Sequence, residues 1–230
     1  MTSARHPARM GTALKKRALV VATSHERLGE TGRPTGAYLS ELVEACAVLR
    51  ALGIEVEVAS PRGGDIPIDP CSRTADFGTL SDVIKGATPL AAVAPPYDAY
   101  LAVGGRGALW DLRADPNLDR LLAQAVAAGK VVAGIAQGVS VLLGLRADDG
   151  TPLVRGRRVT ASTDEEERVA GVVTALPFSL EAELRNAGAR FEATTIWSPH
   201  VTADQRFITG QNPLSAPAVA QAIGRALGAA

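Results

Sequence analysis

Residues 134–138 read Gly-Ile-Ala-Gln-Gly, at the centre of the apolar run VVAGIAQGVSVLLGL. This is the outline of a strand, a sharp turn and a helix, the form in which an elbow of the G-x-S-x-G type presents a nucleophile at the top of a sheet. The central residue here is Ala136, so the elbow is present without its nucleophile. Other groups must then carry any chemistry. Glu41 falls at the phase of the apolar positions Leu39, Leu42, Ala45 and Cys46. A carboxyl turned toward a sheet in this way has a raised pKa and can donate or shuttle a proton; the competing reading of Glu41, and the commoner one for a carboxylate, is an exposed helix residue like Glu44 one turn on. Gly104-Gly105-Arg106-Gly107 lacks both the G-x-G-x-x-G spacing of a dinucleotide site and the Lys-Ser/Thr of a phosphate loop. The backbone amides of Gly105 and Gln137, after the glycine pair and after the elbow residue, are candidates for an oxyanion hole. A tight turn packing a helix on the sheet accounts for the glycines equally well.

The imidazoles inside the domain are His25 and His200, each open to a packing role or a catalytic one. Trp110 and Trp197 are core residues by type that can also wall a pocket. The run Asp164, Glu165, Glu166, Glu167 reads as a helix start, with acids near the positive end of the dipole and one of them free to face a cleft. The two cysteines, Cys46 and Cys71, have no C-x-x-C spacing and no nearby His ladder, so neither a disulfide framework nor a metal site is implied. Cys46 is five residues beyond Glu41, about 140° around a helix of 3.6 residues per turn, and is read as core.

The elements that would position these residues alternate between short β-branched runs and longer amphipathic ones, the pattern of a parallel sheet covered by helices. RALVVAT, IEVEVAS and YDAYLAVGG are strands, GAYLSELVEACAVLRALG is a helix closed by Gly53, and DPNLDRLLAQAVAAGK is a helix with Asp115 as N-cap and Pro116 at its first position. RRVTAS is expected as a further strand, SLEAELRNAGA as a helix, PHVTADQRFITG as a hairpin turning near Ala203-Asp204, and LSAPAVAQAIGRALGAA as a closing helix. The stretch from Pro61 to Pro95 reads as a long excursion with one or two short helices. The fold expected is a three-layer, doubly wound, flavodoxin-like α/β domain over residues 17–230, preceded by a disordered tail at 1–16. In such sheets ligands bind outside the carboxyl ends of the strands. TSHERLGETG, GGRG, AQG and STDEEER should converge there.

Composition narrows the function classes. With 24 basic and 24 acidic residues in 230, the chain has no global basic field for nucleic acid or an anionic membrane. Its longest apolar stretch is too short to span a bilayer and contains Gln137. A soluble cytoplasmic protein is expected.

The segments VVATSHERLGETGRPTGAYLSE, VASPRGGDIPIDPCS, GGRGALWDL, GKVVAGIAQG, VTASTDEEER and WSPHVTADQRFITGQNPLSA, in this order, resemble the ThiJ/PfpI superfamily, the class I glutamine amidotransferase-like fold. The branch indicated is that of the glyoxalase III enzymes and related heat-shock chaperones. The resemblance implies that Glu41 is the helix carboxyl that hydrogen-bonds the nucleophile and shuttles protons, that Gly105 belongs to the oxyanion hole, and that Ala136 stands where the family has cysteine. Gln137 stands where this branch has a catalytic His, and Arg106 replaces another. The implied chemistry is a cofactor-free reaction of a small aldehyde such as methylglyoxal with a cysteine thiolate, in a homodimer. Without a thiol at position 136 that route is closed.

An engineered Cys→Ala replacement explains Ala136 alone, and natural divergence explains Gln137 and Arg106 with it. The leading expectation is a cofactor-independent lyase, hydratase or isomerase acting on a small carbonyl metabolite, with secondary metabolism as its setting. In it Glu41 is the acid/base, the Gly105 and Gln137 amides hold an oxyanion, and Arg106, His25, Trp110 and His200 surround the substrate. The alternatives are a glyoxalase III or deglycase carrying an engineered site, and a catalytically dead binding or chaperone-like module.

Overall fold

The computed structural model describes residues 15–72 and 81–229. The tail expected to be disordered therefore lies, through residue 14, outside the described residues. The elements run β1 (Arg17–Val21), α1 (Leu39–Ala51), β2 (Glu55–Ser60), β3 (Thr88–Pro89), β4 (Ala99–Ala102), α2 (Ala108–Asp111), α3 (Pro116–Ala127) and β5 (Val131–Ile135). A 3-10 helix over Ala136–Leu143 follows. The chain continues through β6 (Arg158–Val159), α4 (Asp164–Val169), α5 (Leu180–Asn186), β7 (Arg190–Phe191), β8 (Val201–Asp204), β9 (Phe207–Gly210) and α6 (Ala216–Leu227).

Seven strands form one sheet in the order β3-β2-β1-β4-β5-β9-β8, and only β8 runs antiparallel to its neighbour. Successive side chains on a strand point to opposite faces, and the core divides accordingly. Leu19, Val21 and Val132 pack with Leu118 and Leu121 of α3 on one face. Ala18, Val20 and Ile135 pack with Leu42 and Cys46 of α1 and Val219 and Ile223 of α6 on the other. The structure is thus the expected doubly wound α/β fold with a mostly parallel sheet. Helices α1 and α6 lie together closely enough that a Cβ added at Gly224 would run into the Leu52 side chain.

Local sequence sets several boundaries. The Asp115 carboxylate accepts the Asn117 and Leu118 amides at 2.9 and 3.0 Å and Pro116 begins α3, as expected of an N-cap followed by proline. Thr163 and Glu166 close a capping box that starts α4.

Other expectations need correction. RRVTAS does not join the main sheet: only Arg158–Val159 is a strand, paired with β7 in a separate two-stranded sheet. The Thr160 amide then donates to Thr209 Oγ1 at 2.9 Å and leads the chain toward Ser162. The hairpin turns at Gln205-Arg206 rather than Ala203-Asp204, because Asp204 still pairs with Phe207 and Gln205 takes the left-handed φ of 55°. The segment after the elbow winds as a 3-10 helix. Strand β3, at the sheet edge within the Pro61–Pro95 excursion, was not anticipated.

Candidate active site

The elbow is built although its residue is alanine. Ile135 ends β5 in extended conformation and Ala136 turns to φ 48°, a left-handed geometry that costs a non-glycine residue roughly 1–2 kcal/mol. Glycines on either side permit it. A Cβ at Gly138 would collide with the Ala102 carbonyl, and one at Gly134 would stand 2.8 Å from Val139 Cα.

Beneath the elbow lies Glu41, fully buried on α1 as its phase predicts. Its Oε2 accepts the Gly104 amide at 2.6 Å, and its Oε1 is buried with no partner among the described residues. Burial pushes the carboxyl up to about 8, against the opposing effect of the Gly104 hydrogen bond. Glu41 is therefore a largely protonated acid at neutral pH. Glu44 is half-buried rather than exposed.

Above these residues is a cavity of about 140 Å³, walled by Tyr38, Cys71, Gly105, Arg106, Gln137, Ser162, Glu167, Ala170, Trp197 and Pro213. A wider depression of about 560 Å³ adjoins it, sharing Cys71, Arg106 and Ala170 and adding Leu28, Arg33 and Pro34. The cavity has room for a molecule of only a few non-hydrogen atoms, far smaller than drug-sized sites.

One hydrogen-bonded chain crosses the cavity wall. Gln137 Oε1 accepts the Gly105 amide at 3.2 Å, and Gln137 Nε2 donates to Ser162 Oγ at 3.0 Å and to Glu167 Oε1. Ser162 also donates to Glu167 Oε1 at 3.0 Å, while the other Glu167 oxygen accepts Arg106 Nε at 2.9 Å. Arg106 Nη1 lies 3.9 Å from Asp69 Oδ2 and 3.8 Å from Cys71 Sγ. These contacts fix the Gln137 amide with its oxygen toward Gly105 and its nitrogen toward Glu167. They also engage the Gly105 amide, which an incoming oxyanion must free from Gln137 Oε1. Among the described residues no three His, Cys, Asp or Glu side chains are grouped as a metal site.

The structure therefore gathers Gly105, Arg106 and Gln137 at the cavity, with Glu41 and Ala136 immediately behind it. Of the acidic run, Glu167 faces the cavity and Glu166 does not. Glu166 Oε2 accepts the Thr163 amide, and its Oε1 accepts from Trp197 N, Gln211 Nε2 and Asn212 Nδ2 at 3.0 to 3.1 Å.

Three expected residues are elsewhere. His25 stacks on Trp110 with ring centroids 4.8 Å apart, and neither lines the cavity. Thr23 and Ser24 of the TSHERLGETG segment are tied to the Asp111 carboxylate, which holds that part of the segment away. His200 is fixed by its backbone amide to Ser215 Oγ at 3.1 Å and also lies outside the lining. The aromatic residue that does wall the cavity is Trp197, held at φ 57°.

Tyr38 was not anticipated, although its position three residues before Glu41 marks the same helix face. Cys71 comes from the Pro61–Pro95 excursion, and nothing in its spacing announced it.

The DJ-1/PfpI family model matches residues 34–226, a span that takes in Glu41, the glycine pair, the elbow and the acidic run. The chain belongs to the DJ-1/PfpI family. This DJ-1/PfpI chain is 27% identical to the glutathione-independent glyoxalase HSP31 of Saccharomyces cerevisiae, over 90% of its length and 96% of the yeast protein's. It is 29% identical to the glutathione-independent glyoxalase hsp3101 of Schizosaccharomyces pombe, over 89% of this chain and 92% of that one. Among solved structures, the Rapid Encystment Protein 24 KDa of Francisella tularensis superposes with a TM-score of 0.88 at 33% identity, covering 92% of this chain and 99% of that one. Glyoxalase III of Candida albicans shares the fold with a TM-score of 0.84 at 24% identity, covering 92% and 97%.

Proposed function

We propose that this chain is a cofactor-free enzyme acting on a small, uncharged carbonyl compound of the 2-oxoaldehyde class, with Glu41 moving a proton between adjacent carbons. The observation that carries this reading is the fully buried Glu41 carboxyl, with one oxygen unpartnered among the described residues, held by the Gly104 amide next to Gly105, which lines a cavity of about 140 Å³. The glyoxalase names of the relatives support the substrate class.

The balance of the reaction asks for no external oxidant. A 2-oxoaldehyde takes up water and becomes a 2-hydroxy acid, the aldehyde carbon being oxidised as its neighbour is reduced. Once an added nucleophile has made the aldehyde carbon tetrahedral, ionised Glu41 takes its hydrogen as a proton and returns a proton to the neighbouring carbon. The amides of Gly105 and Gln137 then serve the oxyanion that forms between these steps, after the substrate oxygen displaces Gln137 Oε1. Ala136 supplies no covalent partner, whether it stands there by replacement or by divergence. Arg106 is already engaged by Glu167 and approached by Asp69. That charge balance favours a neutral substrate over the anionic group that Arg106 alone suggests.

Incubation with methylglyoxal and related 2-oxoaldehydes, with assay of the 2-hydroxy acid, tests the reading. Formation of the acid supports it, and absence of turnover across the series overturns it.

A second reading, a binding or chaperone-like module, is favoured by the exposed large hydrophobic residues Val169, Val173, Trp197 and Leu214, of which Trp197 lines the cavity and Val169 and Leu214 are chain neighbours of its lining residues Ala170 and Pro213. Suppression of aggregation of an unfolded client without any turnover would select it.

We also read residues 17–230 as one domain, supported by the packing of α6 on α1, and the protein as a cytoplasmic homodimer. A reducing compartment suits the two free cysteines, one of them exposed. No helix of the described residues is long and apolar enough to cross a membrane.

A further inference from the structure

The proton shuttle needs a nucleophile on the aldehyde carbon, and position 136 has none. The chain's two thiols are placed very differently. Cys46 is fully buried on the core face of α1, where burial pushes it up to about 12. Cys71 is exposed and lines both the cavity and the wider depression that adjoins it.

The surroundings of Cys71 are built. Its amide donates to Asp69 Oδ1 at 3.0 Å, and Asp69 Oδ2 is fixed by Thr35 Oγ1 at 2.8 Å. Ser72, the next residue, accepts the Leu39 amide at the start of α1 on its Oγ at 3.0 Å, which ties this turn to the helix carrying Glu41. Arg106 Nη1 is 3.8 Å from the sulfur and 3.9 Å from Asp69 Oδ2. The thiol thus has beside it a carboxylate able to take its proton and a guanidinium able to stabilise the thiolate. A second observation lies close by: among the described residues Glu41 Oε1 is buried and unpartnered beside Gly104, whose neighbour Gly105 lines the same cavity as Cys71.

We propose that Cys71 is the nucleophile of this site, adding its sulfur to the aldehyde carbon of the substrate in place of the missing residue at position 136. In that step the S–C bond forms as the carbonyl π bond breaks. The thiol proton passes to the Asp69 carboxylate, and the carbonyl oxygen becomes an alkoxide that is protonated in turn, giving a hemithioacetal. After the proton shuttle the adduct is a thioester. Water cleaves it, releasing the 2-hydroxy acid and returning the hydrogen to sulfur. At rest the thiol is protonated, because burial and Asp69 hold it above its ordinary range while Arg106 opposes them. Removal of that proton is therefore part of the attack.

The inference rests on the 2-oxoaldehyde reading, and the experiment separates the two. The full chain is given methylglyoxal, kcat/KM is measured for it and for Cys71→Ser and Cys71→Ala, and alkylation of each cysteine by iodoacetamide is followed by mass spectrometry. The expected result is a loss of about 100-fold or more in both variants, the scale of a positioned catalytic group. Methylglyoxal should also protect Cys71 from alkylation with a half-maximum near KM, beyond any protection of a free thiol peptide, with Cys46 unlabelled throughout. Turnover by the parent chain with unchanged kcat/KM in both variants overturns the role of Cys71 and leaves the substrate class standing. No turnover and no saturable protection in the parent chain overturns the substrate class, and the proposal with it.

Discussion

Glu41 and Ala136 meet at Gly104. The point where a Gly104 Cβ would stand is 2.8 Å from Glu41 Oε2 and 3.0 Å from Ala136 Cβ. The helix carboxyl and the elbow residue are therefore neighbours across a glycine that no side chain can replace without disturbing both. A thiol at position 136 would project beside this carboxyl, whereas the alanine leaves Glu41 Oε1 with nothing to bond.

Replacing Glu41 by Gln keeps an acceptor for the Gly104 amide and removes the titrating group. Turnover of the true substrate should fall about 100-fold or more, and a variant with full activity rules Glu41 out as the proton carrier. In the parent chain kcat/KM should rise with pH through about 8, since the base form is the ionised one.

Stability follows from the same group with the opposite sign. Unfolded Glu41 ionises near 4.5 and folded Glu41 near 8, so between these values the folded state holds the extra proton. Its contribution to stability therefore falls as pH rises through this window, by an amount on the order of 5 kcal/mol at most. Denaturant titrations at several pH values should show Glu41→Gln losing less stability across the window than the parent chain. Identical pH profiles would mean that Glu41 is not held protonated.

Ala136→Cys places a thiol beside Glu41 on an elbow already held at the required φ of 48°. Methylglyoxal consumption should increase, with an adduct mass on residue 136. If the variant stays silent while remaining folded, the Gln137 and Arg106 side of the cavity has moved to another substrate.

The Arg106–Glu167 pair is nearly buried, with side chains 12% and 7% exposed. Truncating one partner of such a pair leaves the other charge uncompensated, at about 3 kcal/mol or more. Arg106→Ala should lower the denaturation midpoint accordingly, and Arg106→Lys should recover only part, because it cannot serve Glu167, Asp69 and Cys71 from one planar group. A loss below about 1 kcal/mol would place the pair in the solvent-screened class.

Glu166→Ala should cost about 3 kcal/mol, because it strands buried donors from Trp197, Gln211 and Asn212. It should also raise KM more than it lowers kcat, since Trp197 walls the cavity. Tryptophan fluorescence quenching reports the released loop, and an unchanged Trp197 signal would argue against the loop being fixed from this carboxylate.

Much of the architecture was legible because it rests on local rules: apolar strands, the Asp115-Pro116 helix start and the glycines around the elbow each act within a few residues. Glu41 was marked by its phase on one helix but singled out only with the family resemblance, since phase alone leaves an exposed carboxylate the commoner reading. What stayed hidden depends on distant partners. Which acid of the run faces the cavity is decided by Arg106 and Gln137, and Glu166, its immediate neighbour, is claimed by Gln211 and Asn212. Cys71 and Asp69 enter through an irregular excursion that has no period to read. His25 was misplaced because the Asp111 contacts of Thr23 and Ser24, which hold that loop away, come from a helix some 90 residues on.

The packing of α6 against α1 has a consequence for synthesis. The apolar residues of α1, the helix that carries Glu41, pack with residues 216–227, which follow it by most of the chain's length. As the polypeptide emerges, β1, α1 and β2 can assemble early, yet the helix bearing the acid waits with an open apolar side until α6 arrives. The site is thus completed late in the life of the nascent chain. A ribosome that stalls before α6 releases a molecule with most of its sheet and an unfinished acid.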